Sequence, residues 1–97
     1  MNNFNNLSNQ ETERLALLAE EMGEAIQIIG KILRHGYENC HPIDNLTTNR
    51  ELLENELGHV RFAMIYICEV GDLSKDAIHN HADLKRKCVK KYFHYQD

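Results

Sequence analysis

Two short patterns in this 97-residue chain put metal-binding side chains at helical spacing. Glu20, Glu21 and Glu24 stand in LAEEMGEAIQIIGKILRHG, residues 18–36, and Glu56 and His59 stand in NELGH, residues 55–59. On an α-helix of about 3.6 residues per turn, Glu21 and Glu24 are i,i+3 neighbours, as are Glu56 and His59, while Glu20 and Glu24 are i,i+4 neighbours. Like charges so placed repel, so the first pattern calls either for a cation or for a fully solvated face. Two helices that each present an i,i+3 ligand pair supply up to four donors around one or two divalent ions. They also leave coordination positions open for substrate oxygens and water. A closed structural zinc site prefers sulfur and nitrogen donors, so an oxygen-rich set of this kind reads as catalytic.

The elements that must carry these residues are helices. Ser8 followed by Glu11 has the form of a capping box, and a helix is expected from there. Leu15, Leu18, Met22, Ala25, Ile29 and Ile32 recur at alternating spacings of three and four, the pattern of a helix packed on others, and Gly36 is a natural stop. Residues 37–48 hold the only proline, Pro42, among asparagine, aspartate and threonine, and read as a loop; Cys40 and His41 within it make a poor metal site by themselves. Thr48 or Asn49 can cap a second helix whose Leu53, Leu57, Val60, Met64 and Ile67 repeat the same spacing, with Phe62, Ile65 and Tyr66 on its other faces. Gly71 ends it. Ser74 or Asp72 opens a third, more polar helix through about Tyr92, with Ala77, Ile78, Ala82 and Val89 as a thin apolar stripe.

The fold class expected is therefore all-α: a flexible lead-in over residues 1–8, then a single domain over 9–97 made of an antiparallel bundle of long helices. A helix from Asn9 to His35 would run about 40 Å, against a radius of gyration of about 13 Å for a compact domain of this size. With a second helix apolar most of the way round, this predicts a homo-oligomer, dimer or tetramer, whose four-helix core is completed between chains.

Composition narrows the function classes. The formal net charge is −4, with Asp and Glu at 15 against Lys and Arg at 11, which disfavours general nucleic-acid binding. The cations cluster late, at Lys85, Arg86, Lys87, Lys90 and Lys91, and the acids early. Three cysteines without a C-x-x-C pair suggest neither a disulfide framework nor a zinc ribbon and fit a reducing, cytoplasmic setting. The N-terminus lacks the basic and apolar regions of a signal peptide, and no stretch reaches the ~18 apolar residues of a spanning helix, so no membrane partner is expected.

Glu21-x-x-Glu24 followed by Glu56-x-x-His59 on the next helix resembles the Glu-x-x-Glu…Glu-x-x-Asp signature of the MazG-like, all-α nucleoside triphosphate pyrophosphohydrolases. EEMGEAIQIIGKILRHG is similar to the small phage-type members, in which the acidic pair leads into a lysine and an arginine before a glycine, here Lys31, Arg34 and Gly36. The likeness continues through NRELLENELGHV and the KRKCVKKYFHYQ tail, from about Leu15 to Gln96. It implies Mg²⁺- or Mn²⁺-dependent cleavage between the α- and β-phosphates of a nucleotide, releasing monophosphate and pyrophosphate. In that reading Glu21, Glu24 and Glu56, with His59 or a water, hold the ions, and Glu20 orients the attacking water. Lys31 and Arg34 meet the triphosphate, and Lys87, Lys91 and Tyr92 contact phosphate from the tail, across a subunit boundary. His59 stands where the family has aspartate; a neutral nitrogen donor weakens a Mg²⁺ site and favours Mn²⁺, Co²⁺ or Fe²⁺.

Two other classes stay open on the sequence. Glu56-x-x-His59 is also the motif of carboxylate-bridged di-metal bundles, which a dimer contributing Glu24 or Glu21, Glu56 and His59 twice would complete. A catalytically silent nucleotide-binding helical module is the third. The plainest reading of Glu20, Glu21 and Glu24 alone is a solvated acidic face favoured by the helix dipole, and Lys31 and Arg34 alone are dipole partners of the opposite helix end.

Overall fold

The computed structural model describes residues 3–96. Met1 and Asn2 of the expected lead-in, and Asp97 at the end of the expected domain, lie outside the described residues. Three α-helices follow in order, α1 (Asn9–His35), α2 (Asn49–Glu69) and α3 (Lys75–Cys88), and a single 3₁₀ turn, Val89–Tyr92, comes after them. Among the described residues there is no β-strand, only an isolated antiparallel bridge between Cys40 and Thr48.

Each helix begins where its side chains can satisfy the open backbone amides. Ser8 Oγ accepts from Glu11 N at 3.1 Å and Glu11 Oε1 accepts from Ser8 N at 2.9 Å, a complete capping box. Thr48 and Ser74 cap α2 and α3 with the hydroxyl alone, accepting from Glu51 N and Ala77 N. The stops are as local. Gly36 takes φ 88° and donates to Ile32 O, and Gly71, at φ 91°, sits in a Schellman motif in which Asp72 N reaches Ile67 O and Gly71 N reaches Cys68 O. The third helix ends four residues before the expected Tyr92, because the backbone tightens into the 3₁₀ turn after Cys88. Before α1, Asn3 to Leu7 form a turn, with Asn3 N donating to Leu7 O at 3.1 Å and Asn5 Oδ1 accepting from Leu7 N.

The two long helices form an antiparallel hairpin, and this is the main packing of the chain. Arg14 near the start of α1 pairs with Asp72 just past α2 at 2.7 Å, and Gly36 at the other end accepts from the buried Asn49 side chain at 3.2 Å. The intervening loop is tied down by Asn49 N to Asn39 O, Arg50 N to Tyr37 O, and the Arg50 guanidinium, which stacks on Tyr37 and pairs with Glu38.

The faces that meet differ from those expected. On α1 the residues turned inward are Leu18, Glu21, Ala25, Ile28 and Ile32, and on α2 they are Leu53, Glu56, Val60, Ala63 and Ile67. Both series keep the three-and-four alternation. Leu15, Met22 and Ile29, read from sequence as part of the same seam, are exposed, as is Leu57 on α2. The reason is that α1 carries two apolar stripes side by side, and a chain of three-and-four steps can cross from one to the other. Among the described residues only Ala25, Ala63 and Ile67 are buried hydrophobics, two of them small.

The third helix barely touches the hairpin. It diverges from α2 after the 70–74 turn and leaves a wedge-shaped cavity of about 480 Å³, lined by Met64, Ile65 and Cys68 on one wall and Ile78, His79 and Ala82 on the other. The radius of gyration is accordingly 17.1 Å, where a compact chain of this length has about 12.5 Å. No described helix is long and apolar enough to cross a membrane.

Candidate metal centre

Glu21 and Glu56 stand at inward positions of the hairpin where an ordinary helix pair would place leucine or isoleucine. Their side chains are only 16% and 17% exposed. Each helix brings a second donor from one turn further on: Glu24 follows Glu21 on α1, and His59 follows Glu56 on α2. One ligand atom from each of Glu21, Glu24, Glu56 and His59 lies within 4.8 Å of all the others. Two bonds of about 2.0 to 2.5 Å to a shared ion separate opposite ligands by roughly 4 to 5 Å, so one divalent cation fits among the four atoms.

The electrostatics of the cluster point the same way. Glu21 Oε2 and Glu56 Oε2 are buried and have no hydrogen-bond partner. His59 Nδ1 lies 3.3 Å from the first and 3.5 Å from the second, near enough for a Coulombic contact yet outside hydrogen-bonding geometry. Glu24 is held above its ordinary carboxylate range, chiefly because its protonated form hydrogen-bonds Glu56 and because the Glu56 charge opposes its ionisation, with burial adding to both. A divalent ion held there would offset the mutual repulsion of the carboxylates and give the two orphaned oxygens a partner. The donor set is three carboxylate oxygens and one imidazole nitrogen.

The other expected site residues fall in three places. Glu20 is exposed on α1, one residue before the cluster and outside it. Lys31 and Arg34 lie two to three turns further along α1, where with His35 they line a cavity of about 370 Å³ closed by Asn39, Cys40, His41 and Pro42 of the loop and by Asn49 and Leu52 of α2. Lys87, Lys91 and Tyr92 lie on α3 and its 3₁₀ extension, with the Lys91 ammonium 5.3 Å from the Tyr92 ring, on the element that diverges from the hairpin. Within one chain the structure unites Glu21, Glu24, Glu56 and His59 and leaves the tail residues apart from them.

Sequence reading did not find the loop's contribution to the second cavity. Cys40, His41 and Pro42 read only as loop, and Asn49 only as a possible cap, yet Asn49 is the one polar residue among the described residues to be fully buried. The bridge from Cys40 to Thr48 closes the loop on itself, and Asn39 to Pro42 then stand across the cavity from Lys31, Arg34 and His35. Compared with protein-family models, curated proteins and solved structures, the chain matches none.

Proposed function

We propose that this protein is a divalent-metal-dependent nucleoside triphosphate pyrophosphohydrolase, cleaving between the α- and β-phosphates to give a nucleoside monophosphate and pyrophosphate. The observation that carries the reading is the convergence of Glu21, Glu24, Glu56 and His59 within 4.8 Å, with two buried carboxylate oxygens lacking a partner. The resemblance of the two motifs to the MazG-like pattern supplies the reaction class. A bound Mg²⁺ or Mn²⁺ supplies charge neutralisation at the phosphate oxygens and a site for the attacking water.

The chain's own residues do the rest. Glu21, Glu24 and Glu56 would hold the ion from two helices, with His59 as the fourth donor. Glu20, exposed beside the cluster, would orient the attacking water. Lys31 and Arg34 meet the phosphates that leave as pyrophosphate, in a cavity whose lining residues include no carboxylate. Lys87, Lys91 and Tyr92 approach the nucleotide from a second copy, and the working form is a homo-oligomer; the extended shape and abundant exposed apolar side chains support this. A carboxylate-bridged di-metal centre shared between two chains is less well supported, since the four donors already converge inside one.

The test is a pyrophosphate-release screen over the common ribo- and deoxyribonucleoside triphosphates, run with Mg²⁺ and Mn²⁺ in parallel. The expected result is release with at least one substrate, lost in Glu21→Gln and Glu56→Gln. Nucleotide binding without release for any substrate would replace this reading with that of a silent nucleotide-binding module.

A further inference from the structure

The loop between the two long helices carries a histidine whose ring is held in one form. His41 Nδ1 accepts from Ile43 N at 3.1 Å, an i,i+2 contact of the kind an Asx-turn makes. A ring nitrogen that accepts in this way carries no proton, so Nε2–H is the donor of the ring. The loop around it is braced from several sides. Asp44 Oδ1 accepts from Leu46 N at 3.0 Å and from Thr47 N at 3.3 Å, and Cys40 bridges to Thr48. Asn49, 4% exposed, donates from Nδ2 to Gly36 O just past the end of α1.

His41 lines the cavity of about 370 Å³, and that cavity lies on the side of the hairpin that carries the metal-binding cluster. On α1, Lys31 follows Glu24 by seven residues and His35 follows Lys31 by four, which keeps all three on one face. On α2, Leu52 precedes Glu56 by four residues and His59 by seven, which does the same. At 1.5 Å per residue, Leu52 stands about 6 Å along the helix from Glu56, on the way to the loop. Helical side chains lean toward the N-terminus of their own helix, so Lys31 leans back toward Glu24. The cavity therefore continues the cluster toward the loop.

Its lining names the chemical group it takes. Lys31 and Arg34 bring two cations, and the lining residues include no carboxylate and no phenyl, phenol or indole ring on which a base could stack. The acids of the loop are engaged elsewhere, Glu38 with Arg50 and Asp44 with the backbone. The first amides of α2 are engaged too: Asn49 N donates to Asn39 O, Arg50 N to Tyr37 O and Glu51 N to Thr48 Oγ1. Recognition falls to the side chains, and two cations with a neutral N–H donor suit a phosphate.

We propose that His41 is a specificity-determining residue, whose Nε2–H donates to the terminal phosphate of a bound triphosphate across the cavity from Lys31 and Arg34, so that triphosphates are preferred to diphosphates. The proposal rests on the pyrophosphohydrolase reading, which puts the scissile bond at the metal cluster and the leaving pyrophosphate on the loop side of it. The nucleoside then extends the other way, toward the end of the hairpin closed by Arg14 and Asp72.

Calorimetry with inorganic pyrophosphate in the presence of Mn²⁺ reads the contact without turnover. His41→Asn sets an acceptor where Nδ1 stood and keeps the Ile43 contact, but ends short of Nε2. His41→Gln instead sets an amide N–H where Nε2–H stood. His41→Asn is expected to weaken pyrophosphate binding about 10- to 100-fold, the worth of one hydrogen bond to a charged group. His41→Gln is expected to recover most of that loss, and the affinity for Mn²⁺ alone should be unchanged in both. In His41→Asn the kcat/KM ratio of a nucleoside triphosphate to its diphosphate should fall by a similar factor. Wild type that binds no pyrophosphate, His41→Asn that binds it as wild type does, His41→Gln as weak as His41→Asn, or an unchanged ratio would overturn the proposal. Triphosphate cleavage together with wild-type pyrophosphate binding by His41→Asn removes the His41 contact and leaves the hydrolytic reading standing. Pyrophosphate binding that depends on His41, with no triphosphate cleaved, supports the contact and removes the hydrolytic reading.

Discussion

Removing and restoring the divalent ion should change the stability of the protein by an amount that the cluster itself sets. Glu21 Oε2 and Glu56 Oε2 are buried without partners. An unsatisfied buried acceptor costs about 1 to 3 kcal/mol, so the pair burdens the ion-free fold by roughly 2 to 6 kcal/mol. An ion present at 100 times its dissociation constant contributes about 2.7 kcal/mol, which lies inside that range. For a domain of about 100 residues each kcal/mol moves Tm by about 4 to 8 °C, so saturating Mn²⁺ should raise Tm by about 11 to 22 °C over chelator. The assay is thermal unfolding followed by circular dichroism at one fixed protein concentration, because self-association would make Tm concentration-dependent. Glu56→Leu provides the internal control. It removes one orphaned oxygen from an inward position and adds apolar contact, so in chelator it should melt above wild type, and added ion should no longer move it. The reasoning is refuted if neither Mg²⁺ nor Mn²⁺ at millimolar concentration shifts the wild-type Tm beyond replicate scatter, or if Glu56→Leu melts below wild type in chelator.

Three further outcomes follow from the same geometry. His59→Asp replaces a nitrogen donor by a carboxylate and should move the ratio of Mg²⁺- to Mn²⁺-supported pyrophosphate release toward Mg²⁺; an unchanged ratio would place His59 outside the coordination shell. Because Glu56 raises Glu24 above its ordinary range, the ion-free folded state takes up this proton at a higher pH than the unfolded state does. Ion-free stability should therefore rise as pH falls from neutral through the raised Glu24 titration, while ion affinity falls over the same window, and Glu24→Gln should flatten the first trend in pH-dependent melting. Ile67, 1% exposed beside Ala63, should cost about 2 to 5 kcal/mol when cut to alanine, read as a lower denaturant midpoint at constant slope.

Much of the fold was legible because its signals are local. The Ser8–Glu11 box, the stops at Gly36 and Gly71, and the caps at Thr48 and Ser74 each depend on residues within one helical turn of one another. The pairing of Glu21 and Glu24 with Glu56 and His59 was also legible, since helical spacing fixes each pair and the 37–48 loop returns α2 along α1. The choice of inward face was not. With apolar residues at both Leu15 and Leu18, Met22 and Ala25, Ile29 and Ile32, periodicity alone does not say which row meets α2. The structure resolves it by burying the row that contains Glu21. A pattern search for apolar seams passes over that row for the reason that makes it interesting, a carboxylate within it. The cavity beside Lys31 and Arg34 was invisible for a different reason, since it depends on how the 37–48 loop folds back through Asn49 and the Cys40–Thr48 bridge.

The divergence of α3 from α2 has a consequence for how the molecule breathes. A 14-residue helix is at the margin of stability when isolated in water, and α3 has little of the hairpin to lean on. Its opening free energy is therefore set by whatever occupies the wedge between it and α2, whereas that of α1 and α2 is set by their mutual seam. Amide hydrogens of residues 75–88 become a gauge of that occupancy: they exchange quickly while the wedge is empty and slow when Met64, Ile65 and Ile78 are covered, with the hairpin's own protection unchanged.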